Sequence, residues 1–338
     1  MKRGVMVIGS SNADTMLYLE RFALPGETVH ATGKKVSCGG KGANQAAAAS
    51  RAGAETVFAT ALGSDAEGKF IEEQLSKEDM GLIVARKSGE TGQAFIEIDG
   101  RSENRITVLG GANMKLSPED VSEMAGSIAG CGILVLQNEI PPETNMAAMK
   151  IASENGTAVM YNPAPYRPMP DGILGMADYL LMNRSEFVSL SGTGNLEEGS
   201  EALLSAGAGT VIVTLGGDGC FCAGEDAMHV PAPAVEAVDT VGAGDTFAGY
   251  LAASLSGGSS LKDSLILAVE AASLACTRRG SLDGIPRIEE VRRRFGIRRT
   301  QHNSSAAAGS ARTAINHLLL PQIRLDRWIR RPLLCFCQ

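Results

Sequence analysis

Short apolar runs recur along this chain at spacings that alternate between strand and helix. Residues 5–9 and 56–62 are nearly continuous apolar stretches, which predicts buried strands. Residues 65–80 place Phe70, Ile71 and Leu75 on one helical face, and 117–129 opens Ser-Pro-Glu-Asp, a favourable helix start. Strand character returns at 133–137, 158–162, 179–182 and 211–215, with helical stretches at 142–155, 197–206 and 261–278. This alternation predicts an α/β protein with a mostly parallel central sheet and helices on both faces. Two stretches, near 15–37 and 91–110, break the rhythm. Residues 92–99 and 104–109 read as paired strands with Asp99-Gly100 supplying hairpin-type turn residues. These pieces are expected to form a small β-sheet at one side, a natural lid.

Composition narrows the class. At 338 residues and 44% hydrophobic content the chain can bury a substantial core, so disorder is not the default. No apolar run approaches the roughly 20 residues of a membrane helix. The N-terminal apolar run covers only residues 5–8 and gives way to Ser10-Ser-Asn-Ala-Asp14, a strand rather than a signal peptide. Seven scattered cysteines without a CxxC pair argue against a disulfide framework or structural zinc, and the cytoplasm is the expected location. Cys220-Phe-Cys222 and Cys335-Phe-Cys337 would each turn both sulfurs to one face of a strand, as small apolar packing. Four histidines, none at metal-ligand spacing, give no support to a zinc enzyme or a histidine-based hydrolase.

Charge is uneven. Residues 298–338 hold seven arginines against one acid, Asp326, a net of +6, so residues 1–297 carry about −13 of the whole-chain −7. An acidic body argues against general nucleic-acid binding. The linker-like Gln301-His-Asn-Ser-Ser-Ala-Ala-Ala-Gly-Ser310 separates it from the basic segment. Two readings of that tail stand: a basic amphipathic segment for a membrane surface or partner, or an unselected extension. The organisation expected is one domain over 1–296 and an atypical basic tail over 297–338 that packs poorly.

The chemistry concentrates at Asp239-Thr-Val-Gly-Ala-Gly-Asp245-Thr-Phe-Ala-Gly249. Residues 232–238 are extended in character and 246–255 carry helix formers. Gly242, Ala243 and Gly244 therefore make a tight turn at a helix start, where outward N–H groups favour a phosphoryl group. Asp245 would stand beside it as acceptor for a hydroxyl proton, which points to phosphoryl transfer to an alcohol. There is no GxxxxGK[ST] loop and no complete GxGxxG, so a Walker-type site and a dinucleotide fingerprint are both excluded. In Cys38-Gly-Gly-Lys-Gly-Ala-Asn44 the glycines admit a ligand to the backbone, and Lys41 and Asn44 offer donors. Packing of a helix start is the competing explanation. Asn12 and Asp14 follow the first strand at its carboxyl end, where ligands bind in open α/β sheets. A turn or helix cap is the alternative there.

Gly9-Ser-Ser-Asn-Ala-Asp14, Pro25-Gly-Glu27, Gly39-Gly-Lys-Gly-Ala-Asn-Gln45, Gly110-Gly-Ala-Asn113, Asn162-Pro-Ala-Pro165, Asn183-Arg-Ser-Glu186, Thr214-Leu-Gly216 and residues 239–249 occur in one order. That order resembles the ribokinase-like (PfkB-type) carbohydrate kinases over about residues 4–296. The resemblance implies that Asp245 is the base for a sugar's primary hydroxyl attacking the γ-phosphate of ATP, with the N–H groups of Gly242, Ala243, Gly244 and Asp245 as the anion hole. It implies sugar contacts from Asn12, Asp14, Gly40, Lys41, Asn44, Glu139 and Asp245, and nucleotide contacts from Asn183, Thr214, Gly216, Gly219 and Gly244. Asn183 and Glu186 match an NxxE element that influences Mg²⁺ and phosphate through water; solvated surface carboxylates are the plain alternative for Glu139 and Glu186. Asp239 and the carbonyls of Val241, Ala275, Arg278 and Gly280 match a site for a monovalent cation, K⁺. Three positions depart from the family: Tyr250 is bulky, Gly284 replaces a frequent serine, and Val269 a frequent polar residue near the adenine.

The expected reaction is phosphorylation of a pentose, D-ribose to D-ribose 5-phosphate. Deoxyribose, another sugar or a nucleoside are the alternatives within the class. A sugar-binding regulator without turnover is the alternative outside it, against which the intact Asp245 and its glycine turn weigh. A homodimer through the lid strands is expected, since exposed strands favour pairing, with no nucleic-acid or membrane partner.

Overall fold

The computed structural model describes residues 2–101, 103–225 and 227–296; the basic tail expected over 297–338, with Cys335 and Cys337, lies outside them. Along the described chain the strands are β1 (Val5–Ile8), β2 (Asn12–Leu19), β3 (Ala31–Gly39), β4 (Thr56–Leu62), β5 (Gly81–Arg86), β6 (Gln93–Ile98), β7 (Asn104–Leu109), β8 (Ile133–Gln137), β9 (Ala158–Asn162), β10 (Tyr179–Asn183), β11 (Thr210–Thr214), β12 (Cys220–Ala223) and β13 (Met228–Val230). Nine of them form one sheet in the order β13-β12-β11-β10-β9-β8-β1-β4-β5. It is parallel from β5 to β11 and antiparallel at the β11–β12–β13 edge. β1 and β8 are buried on both faces, which is why their sequences are continuous apolar runs rather than alternating ones.

β1 lies between β8 and β4, so the chain order reverses on either side of it. The carboxyl end of β1 therefore opens onto the crevice where such sheets bind ligands. The chain leaves β1 and passes straight into the second sheet, β3-β2-β6-β7. β2–β3 and β6–β7 are antiparallel, but β2 and β6 run parallel, with Asp14 opposite Ala94. The lid is thus mixed. The long excursion from β3 through β4 and β5 to β6 supplies the crossover a parallel pair needs.

Local chemistry sets the helix limits. The helix expected over 65–80 spans Ala66–Leu75, capped by Asp65, whose carboxylate accepts the Gly68 N–H. The stretch 117–129 divides at Met124 into Pro118–Glu123 and Ala125–Gly130; a Ser117–Asp120 capping box starts the first, and glycines weaken the second. Strands β5, β12 and β13 were not expected from the pattern; β12 and β13 are short, and β5 forms the opposite edge of the sheet. Cys220 and Cys222 are fully buried, as their spacing predicts. No helix of the described residues is long and apolar enough to cross a membrane.

The contact that matters most for function is between the helices Lys41–Arg51 and Ala243–Ser256. A Cβ on Gly249 would lie 2.4 Å from the Ala48 Cβ and 2.5 Å from the Gln45 carbonyl oxygen. Glycine here, against the fully buried Ala46–Ala49, lets the two backbones approach and brings Asn44 and Gln45 onto Asp245. The bulky Tyr250 is accommodated in the core, its hydroxyl donating to the Pro286 carbonyl at 2.8 Å.

Candidate active site

Asn12 and Asp14 project from one face of β2, two residues apart. The Asn12 Oδ1 accepts from the Asn113 amide at 2.8 Å, and Asn113 also bonds the Ser11 backbone through both of its side-chain atoms. Asn113, quoted only as part of a motif, thus fixes the β1–β2 junction. The Asp14 carboxylate occupies the space left by Gly39: a Cβ there would sit 1.9 Å from its Oδ2. Burial, reinforced by the nearby Glu139 and Asp245 carboxylates, pushes the Asp14 carboxyl up to about 7. Gly40 (φ +92°) turns the chain from β3 into the helix Lys41–Arg51, where a side chain would meet the Ser11 Cα at 2.9 Å. No side chain of Gly40 caps that helix. The Glu139 carboxylate does so from across the crevice, accepting from the Lys41 N–H at 3.0 Å and from the Ser10 hydroxyl.

Asp245 lies in the first turn of the helix Ala243–Ser256 and is 9% exposed. Its Oδ2 accepts from Asn44 Nδ2 at 3.0 Å and its Oδ1 from Gln45 Nε2 at 3.0 Å. Gln45 also reaches Asn162 and is itself contacted by Gln137. Sequence reasoning gave Gln45, Asn162 and Gln137 no role. Gln45 and Asn162 stood inside recognised motifs, but only the fold shows that these motifs meet. Three acceptors in this network have no hydrogen-bond partner among the described residues: Asp14 Oδ1, Asn44 Oδ1 and Gln137 Oε1, all buried. Buried acceptors of this kind call for donors such as hydroxyl groups.

On the other side of Asp245 opens a cavity of about 750 Å³. Its walls include Lys41, Asn183, Glu186, Thr214, Gly216 and Gly244. Gly219 also lines it, although the close approach of β13 already requires a glycine there: a Cβ would stand 2.0 Å from the Val230 oxygen. Val269 lines the cavity as a buried aliphatic wall. Asn183 and Glu186 form the capping box of the helix Arg184–Ser191, each accepting the other's backbone N–H at 2.9 Å. Burial opposes the charge of Lys41, but the Asp245, Glu139 and Glu186 carboxylates outweigh it and raise the pKa of its ammonium.

At the glycine turn, Gly242 takes φ +79° and packs against Ser281. At the expected anion hole, the Ala243 N–H donates to the Thr240 carbonyl at 3.3 Å, closing the turn. The N–H groups of Gly242, Gly244 and Asp245 have no protein acceptor among the described residues. Beside the Gly244 Cα, where a Cβ would project, there is open space.

Behind this turn, Asp239 accepts the Val241 N–H at 3.0 Å and the Gly280 N–H at 2.9 Å. The Ala275 and Arg278 carbonyl oxygens lie 3.6 and 3.9 Å from where a Gly284 Cβ would be. The expected cation ligands are therefore gathered in one region, with both Asp239 oxygens already bonded. Arg51 clamps the same loop, donating to the Leu282 and Ile285 carbonyls at 2.8 Å while pairing with Glu78.

A family model described as pfkB family carbohydrate kinase matches residues 2–288. A ribokinase of Staphylococcus aureus is 36% identical over 301 residues, which covers 86% of this chain and 99% of that protein. A deoxyribokinase of Salmonella typhi is 32% identical, with 85% and 96% covered. The structure of Arabidopsis thaliana ribokinase complexed with ribose and ATP is similar to this one with a TM-score of 0.79 at 32% identity, covering 87% of this chain and 98% of that one. The glycine turn, its carboxylate and the pocket with unpartnered acceptors thus lie within a family match that spans almost all of the described residues, and the chain belongs to the pfkB family of carbohydrate kinases.

Proposed function

We propose that this protein transfers the γ-phosphoryl group of ATP to the primary hydroxyl of D-ribose, giving D-ribose 5-phosphate. The observation that carries the reading is the position of Asp245 between a pocket with two unpartnered buried acceptors, Asp14 Oδ1 and Asn44 Oδ1, and a nucleotide-sized cavity. Asp245 accepts the proton of the attacking hydroxyl. The N–H groups of Gly242, Gly244 and Asp245, at the positive end of their helix, stabilise the charge that develops on the phosphoryl oxygens. Asn12, Asp14, Gly40, Lys41, Asn44 and Glu139 hold the sugar, and Asn183, Thr214, Gly216 and Gly219 the nucleotide.

Bound Mg²⁺ supplies neutralisation of phosphate charge. Among the described residues no group of three His, Cys, Asp or Glu side chains is gathered to hold a metal. Such an ion would be carried by the phosphates and its own waters, and Glu186, in the cavity wall, would receive one of those waters. K⁺ fits beside Asp239 and the carbonyls of Val241, Ala275, Arg278 and Gly280. Gly284 offers no side-chain oxygen, so activation by K⁺ over a tetraalkylammonium salt should be modest. A homodimer through the lid is supported by the apolar residues it exposes, Ile106 and Val108 among them; light scattering should give twice the chain mass. Buried free cysteines fit a reducing cytoplasm.

The test is a phosphorylation screen with ATP over ribose, deoxyribose, fructose and nucleosides. Ribose should give the highest kcat/KM. The deoxyribokinase relative makes deoxyribose the informative competitor, and preference for it or for a nucleoside would overturn the ribose assignment. Asp245→Asn should lower kcat by about 10²- to 10⁴-fold and leave ribose binding within threefold; unchanged turnover would remove Asp245 from its role.

A further inference from the structure

Three carboxamides form a chain behind the proposed base. Gln137, at the end of β8, donates its Nε2 to Gln45 Oε1 at 2.7 Å. Gln45 spends its two amide hydrogens on Asn162 Oδ1 at 3.1 Å and on Asp245 Oδ1 at 3.0 Å. Asn162, at the end of β9, is held in turn by its own Nδ2, which donates to the Leu181 carbonyl at 2.8 Å. All are buried; Gln45 and Gln137 are fully so. The orientation of Gln45 is therefore unique. Turning its amide over would set its oxygen against two acceptor oxygens and its nitrogen against the Gln137 amino group, replacing three hydrogen bonds with three repulsions. Gly9 makes room for the arrangement, since a Cβ there would lie 2.0 Å from Gln137 Oε1.

We propose that Gln45 is a positioning residue for the reaction: through an amide fixed by Gln137 and Asn162, it holds Asp245 Oδ1 in the direction from which Asp245 meets the substrate hydroxyl. This rests on the kinase reading of Asp245. The two donors to the carboxylate, Gln45 and Asn44, are neutral, and they come from adjacent residues of one helix. They orient the base without placing a cation in contact with it. Gln45 acts on the base, not on the sugar, so its removal should be felt in turnover and in the pH profile rather than in sugar affinity.

The experiment measures kcat, ribose KM and the pH dependence of kcat for the full chain and three variants. Gln45→Met keeps length and apolar volume but removes every hydrogen bond. It should lower kcat by about 30- to 100-fold, hold KM within threefold, and move the acidic limb of the kcat profile up by about one pH unit. Gln45→Glu sets a second carboxyl against Asp245. Its activity should rise as pH falls through the range where the pair shares one proton, a reversal that simple loss of packing does not produce. Gln137→Met, which leaves Asp245 untouched, should shift the same limb in the same direction by less. Wild-type kcat and an unmoved acidic limb in Gln45→Met overturn the proposal. If that variant does not fold, wild-type profiles in both Gln45→Glu and Gln137→Met do so. Failure of the wild-type chain to phosphorylate any sugar would overturn the kinase reading, and this inference with it.

Discussion

Replacing Gly39 by alanine isolates the sugar pocket from the rest of the catalytic apparatus. The φ of Gly39 lies outside the left-handed region, so alanine adopts its backbone without strain. The added Cβ, however, would lie 1.9 Å from Asp14 Oδ2, 2.5 Å from Cγ and 2.9 Å from Oδ1. Ordinary contact begins near 3.4 Å, so the carboxylate must retreat by about 1.5 Å. A displacement of that size breaks any hydrogen bond a sugar hydroxyl makes to Asp14. Two such bonds to a charged group, at about 1.5 kcal/mol each at the low end, amount to about 3 kcal/mol. That corresponds to an increase of roughly 150-fold in the dissociation constant for ribose. The Asn44 and Gln45 bonds to Asp245 are untouched, so kcat at saturating ribose should fall far less, by about tenfold at most. Calorimetric titration of ribose and steady-state kinetics measure both quantities, and a melting curve checks the fold. A ribose KM within threefold of wild type, in a variant of normal stability, would show that Asp14 does not contact the sugar.

Four further expectations rest on the structure. Burial and the nearby carboxylates push the Asp14 carboxyl from an ordinary 3.8 up to about 7, so between those values the native state keeps a proton that the unfolded chain has released. Stability should therefore decline as pH rises across that window, by roughly 4 kcal/mol at most, and urea titrations of wild type and Asp14→Asn should diverge there. Hydroxyls donating to Asp14 favour its charged form, so ribose binding near pH 6.5 should release protons, seen calorimetrically in buffers of different ionisation heat and absent in Asp14→Asn. Gly249→Ala should lower stability by about 1–3 kcal/mol by pushing apart the helices that carry Asn44 and Asp245, measured by denaturant unfolding. Removing residues 298–338 should leave kcat within twofold, because every site residue named above precedes them.

The alternation of apolar runs was enough to read the main sheet, because central strands buried on both faces leave continuous signals at 133–137, 158–162 and 211–215. The edges were harder. β12 and β13 span only four and three residues, too short for any periodicity to declare itself, and β5 follows a helix whose end is set by local turns. The order of the site was legible for Asp245 and its glycines, since the local sequence itself builds a helix start beside a carboxylate. Gln45, Gln137 and Asn162 were not legible as a group. They are separated by 92 and 117 residues from Gln45, and glutamine at a strand end has no chemistry of its own until a partner faces it. The free N–H count was similarly hidden: that Ala243 closes the turn onto Thr240 depends on backbone angles, not on residue types.

The two strands that carry the lid away from the body both meet the proposed sugar pocket at one end. β2 starts with Asn12, directly after the Gly9–Ser11 turn, and β3 ends with Gly39, one residue before the helix that bears Lys41 and Asn44. The β2–β3 hairpin is consequently a lever whose fulcrum is the binding site. Eight residues of strand reach about 26 Å, so a rotation of about 5° at the fulcrum swings the far end by about 2 Å. Seating a sugar should then draw in the arm. A dye attached near residue 24, at the tip, should register ribose without touching it, and a load placed on the tip should in turn loosen the grip on the sugar.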